Sequence, residues 1–269
     1  MDRAVGDAPF GQQLRRWRLQ RGLSQLALAL DAGVSARHLS WLETGRAQPS
    51  RAMVLRLAAR LELPLRERNA MLLAAGYAPM YAERVPSHPA LGTALQAVQR
   101  LLDAHAPWPA LAVDRHWNLV AGNCMVPLLL QALPAALRAP PLNVLRATLH
   151  PQGLAPMIVN LADWREHVLA RLQRQCTASG DPALAMLLQE LRALPAPPAA
   201  ASAAAGEPGD EVATMLVLET PHGRLAFVTA VTVFGAPHDV WLSELAIETL
   251  LPANAATAES LRRLHAAPG

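Results

Sequence analysis

Lysine is missing from this chain: all 24 of its basic residues are arginine. With abundant alanine and proline, that bias fits a GC-rich coding sequence and a bacterial source. Cysteine is nearly as scarce. Cys124 and Cys176 stand far apart and form no CxxC, which argues against a redox or metal role; two buried thiols in a reducing cytoplasm are expected. Long apolar runs are also lacking. The greasiest stretch, 119–137, is interrupted by Asn123, Pro127, Gln131 and Pro134, whereas a membrane span needs about twenty apolar residues in a row. The opening MDRAVGDAPFGQQLRRWRLQRG holds no apolar segment of the secretory kind. No GxSxG, HExxH, P-loop or GxGxxG is present, and the nine histidines are scattered without metal-ligand spacing. The expectation is a cytoplasmic protein that is not an enzyme, contacts no membrane and carries no cofactor or metal.

What is present is unevenly spread. Residues 1–80 hold twelve arginines against six acidic residues, net +6; residues 81–269 hold twelve against fifteen, net −3. A basic module followed by a mildly acidic one implies that the first meets a polyanion and the second does not. The pattern of the first 75 residues is helical: 10–21, then 25–32 behind Ser24, 35–44 behind Gly33, 50–61, and 64–75 behind Pro64. Residues 76–90 carry three prolines and no apolar period, which places a boundary there, with domains at 1–80 and 86–269. The second part opens with a helix over 91–105. Short strands at 110–114 and 118–121, helical material over 124–149, and helices over 160–177 and 182–193 follow. Residues 195–210 form a low-complexity loop. Strands at 213–219, 225–233 and 242–250 then appear, the first two joined by a turn at 220–223, before a closing helix over 257–265. Asn160 is the expected cap of its helix.

The most informative segment is LSQLALALDAGVSARHLSWLETGRAQPS, residues 23–50. It resembles the Cro/repressor-like helix-turn-helix of the XRE family in Ser24-Gln25, Ala27, Gly33-Val34-Ser35, Leu39, Leu42, Glu43, Gly45-Arg46 and Pro49-Ser50. The resemblance spans about residues 8–75 and implies an all-α five-helix bundle that binds double-stranded DNA, commonly as a homodimer on a palindromic operator. Physical reasons stand beside it. Small residues such as Ala27 and Gly33 let two helices cross closely. Val34, Leu39 and Leu42 share the buried side of the third helix, leaving the opposite side for the major groove. Arg37 is the leading base reader, because a guanidinium donates twice to guanine. Ala36, His38, Ser40 and Trp41 supply further base contacts, and Gln25, Ser35, Arg46 and Arg51 suit the phosphate backbone. Arg18 and Glu43 occupy positions that form a buried ion pair in similar domains.

Residues 88–265 resemble the ligand-binding domain of MmyB-like transcription regulators. The likeness lies in His88-Pro89, ALAVDRHWNLVAGN (110–123), NVLRATLHP (143–151), the helix start at 160–164 and the late strand hairpin. It implies an α+β PAS-like fold holding a small apolar, fatty-acid-like ligand between sheet and helices. Large side chains at Trp117, Met157, Trp164 and Trp241 are candidates to line such a pocket, with Asn123 and Arg146 as polar anchors. The whole chain then reads as a ligand-responsive regulator. The competing reading gives the second domain dimerisation or recruitment of a protein partner alone.

Overall fold

The computed structural model describes residues 8–195 and 214–267, so the expected loop over 195–210 and the strand start at Ala213 fall almost wholly outside the described residues. Two compact units result. One runs to Val85 and takes in Ala236–Ser243; the other comprises Pro86–Gly235 and the chain from Glu244 onward. Among the described residues no helix is long and apolar enough to cross a membrane.

The helical unit contains α1 (Phe10–Gln20), α2 (Gln25–Asp31), α3 (Ala36–Glu43), α4 (Arg51–Arg60) and α5 (Leu65–Ala74), each where the sequence pattern puts it. Three of the starts are held by serine: Ser24, Ser35 and Ser50 accept from the backbone N–H groups of Ala27, His38 and Met53 at 3.0, 3.1 and 3.2 Å, each such cap contributing about 1 kcal/mol. Gly33 turns α2 into α3 at φ 66°, a left-handed conformation that costs glycine little. The core is built from Leu14, Trp17, Leu28, Leu39, Leu42, Leu57 and Leu72, all essentially inaccessible. Gly11 allows α1 to lie on the end of α3: a Cβ there would come within 2.5 Å of the Leu42 and Glu43 carbonyl oxygens. One expectation fails. Ala27 is exposed, and the small residue at the helix contact is Ala29, 1% exposed.

The second unit is α+β. Its described strands β1 (Ala110–Val113), β2 (Leu119–Gly122), β3 (Met215–Thr220), β4 (Gly223–Val233) and β5 (Ala246–Pro252) form one antiparallel sheet in the order β2-β1-β5-β4-β3. Alternation along the strands sends Leu111, Val113, Leu216, Leu218, Leu225, Phe227 and Leu250 to one face. They pack on Trp164, Val168 and Leu172 of α10 (Leu161–Ser179) and on Leu184, Leu188 and Leu191 of α11 (Pro182–Ala193). Burying each of these side chains contributes roughly 1.5–3 kcal/mol. The remaining described α-helices of this unit are α6 (Gly92–Ala104), α7 (Val126–Leu130), α8 (Ala135–Arg138), α9 (Val144–Leu149) and α13 (Ala255–Ala266), whereas α12 (Val240–Ser243) falls in the helical unit.

Three local readings need correcting. The helical stretch over 124–149 is broken into α7, α8 and α9, because Pro134 and Pro140-Pro141 each interrupt the backbone hydrogen-bond ladder. Asn160 stands at the N-cap position of α10 as expected, but its side chain caps no helix N–H; its amide instead bridges the Met215 carbonyl (2.8 Å) and the Val217 N–H (3.1 Å), tying α10 to β3. The last strand starts at Ala246, not 242: Asp239 accepts from the Leu242 N–H at 3.3 Å and opens the short α12 instead. That turn belongs to the helical unit, where Val240 donates to Ala82 O (2.8 Å) and Arg84 pairs with the buried Asp239 at 3.0 Å.

Candidate nucleic-acid interface and ligand cavity

The orientation of α3 follows from its composition. Leu39 and Leu42 enter the core, and Glu43 follows them because it has a partner there. Arg18 of α1 donates to Glu43 through Nε at 2.6 Å and Nη2 at 2.9 Å, and Gln25 of α2 adds Nε2 at 2.8 Å. Burial pushes the Glu43 carboxyl up, but the Arg18 and Gln25 hydrogen bonds and the Arg18 and Arg15 charges outweigh it and hold the group below the ordinary glutamate range. One buried carboxylate thus joins three helices. The ion pair expected from the sequence is present. Gln25, expected at phosphate, has its side chain turned to this carboxylate.

The opposite side of α3 is open. Arg37 and Ser35 are exposed, Ala36, His38 and Ser40 are half-buried, and Trp41 is 37% exposed. The Arg37 guanidinium rests 4.6 Å from the centroid of the Trp41 ring, one turn along the helix. Arg46, within the 44–50 loop, and Arg51, the first residue of α4, are exposed. Among the described residues none of Arg37, Arg46 and Arg51 has a carboxylate partner. The result is a helix face carrying uncommitted positive charge.

In the α+β unit the sheet, α7, α9 and α10 enclose a mostly apolar cavity of about 90 Å³. Trp117 and Trp164 line it, as expected from the sequence. Trp117 reaches it from the β1–β2 turn with φ 68°, a strained backbone for a large residue. The ring is fixed by its Nε1–H donating to Gln175 at 2.7 Å and by the Arg171 guanidinium 4.4 Å from its centroid. Arg171 in turn pairs with Glu248 of β5 at 2.5 Å. His167 stacks on Trp164 with centroids 5.4 Å apart; burial and the charges of Arg171 and Arg174 lower its basicity. His167, Arg171 and Glu248 all line the cavity and escaped the sequence reading. The spacing Trp164, His167, Arg171 along one helix face was the available signal for two of them. A second cavity of about 280 Å³ is lined by Met157, Met125, Leu261, Leu264 and His222 among others.

The other three candidates lie elsewhere. Asn123 is buried and fully engaged, donating to Leu102 O and Trp108 O and accepting from Ala110 and Met125 N–H. Arg146 makes a two-pronged pair with Glu190, 2.7 Å in each arm, away from both cavities. Trp241 lies in the α12 segment of the helical unit. The two thiols also depart from expectation: Cys124 is exposed, 3.6 Å from His265 Nδ1, and Cys176 is only partly buried. Among the described residues no cluster of metal-ligating side chains occurs.

A helix-turn-helix bundle with an uncommitted basic face, carried on one chain with an α+β domain around an apolar cavity, defines a ligand-binding transcriptional regulator. Residues 94–264 match the family model of the MmyB-like transcription regulator ligand binding domain, and residues 9–71 match a helix-turn-helix domain model. The chain belongs to the MmyB-like transcription regulators. Over 79 residues it is 37% identical to the uncharacterized HTH-type transcriptional regulator RghRB of Bacillus subtilis (strain 168), covering 29% of this chain and 55% of that protein. The chain thus spans about half the length of that curated relative. Among solved structures, the restriction-modification controller protein C.AhdI from Aeromonas hydrophila is 37% identical over 22% of this chain and 89% of its own, with a TM-score of 0.21. An RNA-binding light-oxygen-voltage receptor aligns over 94% of this chain and 62% of its own at 14% identity and a TM-score of 0.29. Neither superposition is close enough to bear on the architecture.

Proposed function

We propose that residues 1–80 bind a palindromic operator as part of a cytoplasmic homodimer, and that an apolar, fatty-acid-like ligand in residues 86–269 modulates that binding. Arg37 reads a guanine, with Ala36, His38, Ser40 and Trp41 completing the base contacts. Ser35, Arg46 and Arg51 hold phosphates, and Gln25 contributes by fixing α2 to α3. The observation that carries the reading is the division of α3: its leucines and Glu43 are committed to the core while Arg37 stands exposed over Trp41, with no carboxylate partner among the described residues. On the ligand side, the support is an apolar cavity with a few convergent polar groups, the usual constitution of a small-molecule site. No reaction is assigned to the chain.

The test is recovery of bound DNA from cells followed by titration of the recovered site. Arg37→Ala should lose about 1–3 kcal/mol against the operator and little against unrelated duplex. Equal affinity of wild type and Arg37→Ala for the recovered site would refute the assignment. A ligand changes operator affinity only through a difference in its binding to two states. Unchanged operator affinity at saturating ligand would therefore leave the second domain a dimerisation or partner-recruiting module.

A further inference from the structure

We infer that Ala236–Ser243, the connection between β4 and β5, is a coupling arm through which the contents of the first cavity alter operator binding. This rests on the reading above that the second domain modulates the first, and it supplies the route. The sheet does not need so long a connection. Val233 and Ala246 are paired across the two strands. Two further steps in that register set Gly235 opposite Glu244, where a two-residue turn would close the hairpin. The chain places eight residues there instead, and all eight belong to the helical unit.

Both attachments of the arm are specific. In the helical unit, the buried Asn69 of α5 grips the chain at residues 80–81: it accepts from the Met80 and Tyr81 N–H groups at 3.0 Å and donates to Tyr81 O at 2.7 Å. The next residue, Ala82, accepts from the Val240 N–H of the arm at 2.8 Å, and Arg84 pairs with Asp239 at 3.0 Å. Val240 and Asp239 are both buried. Met71 and Leu72 of α5 share a core with Leu39 and Leu42, so the position of α5 bears on how α3 is presented. At its other attachment the arm is rooted in the cavity wall. Thr229 of β4 and Glu248 of β5 line the first cavity. Glu244, the first residue after the arm, pairs at 3.7 Å with Arg115, two residues before the cavity-lining Trp117. A ligand with an acceptor for Arg171 takes that cation from Glu248, whose side chain is 14% exposed. The strand then moves to re-pair or hydrate a carboxylate that is costly to leave buried alone, and the arm moves with it.

Two variants of the full chain are compared with wild type. One replaces Ala236–Ser243 by Asn-Gly, which closes the hairpin and keeps Glu244; the other, Asp239→Ala, keeps the length and removes the partner of Arg84. Each is titrated with the DNA recovered from cells, with and without Glu248→Gln, and with and without dodecanoate as a probe. In the intact chain Glu248→Gln and the probe should each shift operator Kd by about fivefold or more, the usual range for coupled sites. With the arm replaced, both shifts should fall below about twofold while thermal shift shows the probe still bound. A shift of equal size without the arm would overturn the route and leave the modulation standing. A probe that binds the intact chain without moving operator Kd would overturn the modulation itself, and the arm with it. Should dodecanoate not bind, Glu248→Gln decides: no shift in the intact chain, or the same shift without the arm, would overturn the arm. Should the Asn-Gly variant not fold, Asp239→Ala decides by the same comparison.

Discussion

Replacing Glu43 by glutamine keeps its shape and removes its charge, and the consequence can be worked from the geometry. The side chains of Arg18 and Glu43 are 8% and 2% exposed, so neither has water to fall back on. Glu43 accepts three hydrogen bonds, two from Arg18 and one from Gln25; the amide retains one acceptor oxygen and turns an NH2 toward a cation. Breaking one side of a buried pair costs about 3–5 kcal/mol. Because Arg18 keeps its bond to Leu23 O at 2.9 Å, the lower end, about 3 kcal/mol, is expected. That is a large fraction of the roughly 5–15 kcal/mol that holds a domain together. The double replacement Arg18→Met with Glu43→Leu removes both charges and fills the space with apolar atoms, which in other buried pairs is neutral or stabilising. Urea titration of the full chain, read by hydrogen exchange of residues 10–74, separates the cases. A loss below about 1 kcal/mol in Glu43→Gln, or a double variant as unstable as the single, would refute the claim that an unpaired buried charge dominates.

Three further outcomes are expected. Because the Glu43 carboxyl is held below its ordinary value near 4.5, its contribution to helical-unit stability should be complete above that pH and fade as pH falls through the lowered value; a pH series of melting curves on wild type and Glu43→Gln should converge in acid, and parallel curves would contradict it. Gly11→Ala, which sets a methyl against two backbone carbonyls at 2.5 Å, should lose about 1–3 kcal/mol although alanine is the better helix former; a gain in melting temperature would show that α1 is free to move off α3. Trp41→Ala removes the ring on which Arg37 rests, a contact of about 0.5–1 kcal/mol at exposed sites. Operator binding by fluorescence anisotropy should weaken about two- to fivefold with the salt slope unchanged, whereas a changed slope would mean that a phosphate contact was lost.

The helical unit was largely legible because its punctuation is local. Ser24, Ser35 and Ser50 act within three residues of themselves, and Gly33 needs only its own φ. One error there, Ala27 for Ala29, came from the run LALAL, which alternates leucine and alanine without polar contrast. Either set of leucines fits a core, and it is Leu28 that is buried while Leu26 and Leu30 are 59% and 71% exposed. The first cavity was legible only in its bulky members Trp117 and Trp164, and the second only in Met157. The polar side of the first cavity depends on Arg171 meeting Glu248 across 77 residues, and Arg146 was lost as an anchor to Glu190, 44 residues away. Such pairings are decided by the packing of α10 and α11 on the sheet, and no local signal carries them. Asp239 likewise turned an apolar run expected as strand into α12 by one side-chain hydrogen bond.

The central place of β5 has a consequence for assembly. Its two neighbours, β1 and β4, come from distant parts of the chain, and each has its own companion on the far side. Until Ala246–Pro252 arrives, β2 with β1 and β3 with β4 are two separate ribbons, and an isolated pair of strands is at best marginal in water. Cleavage ahead of that segment, or a proline introduced at its centre, would split the sheet into two marginal ribbons instead of shortening it. The α1–α5 bundle draws its contacts from nearby sequence and should form early, leaving ligand competence as the last property the molecule acquires.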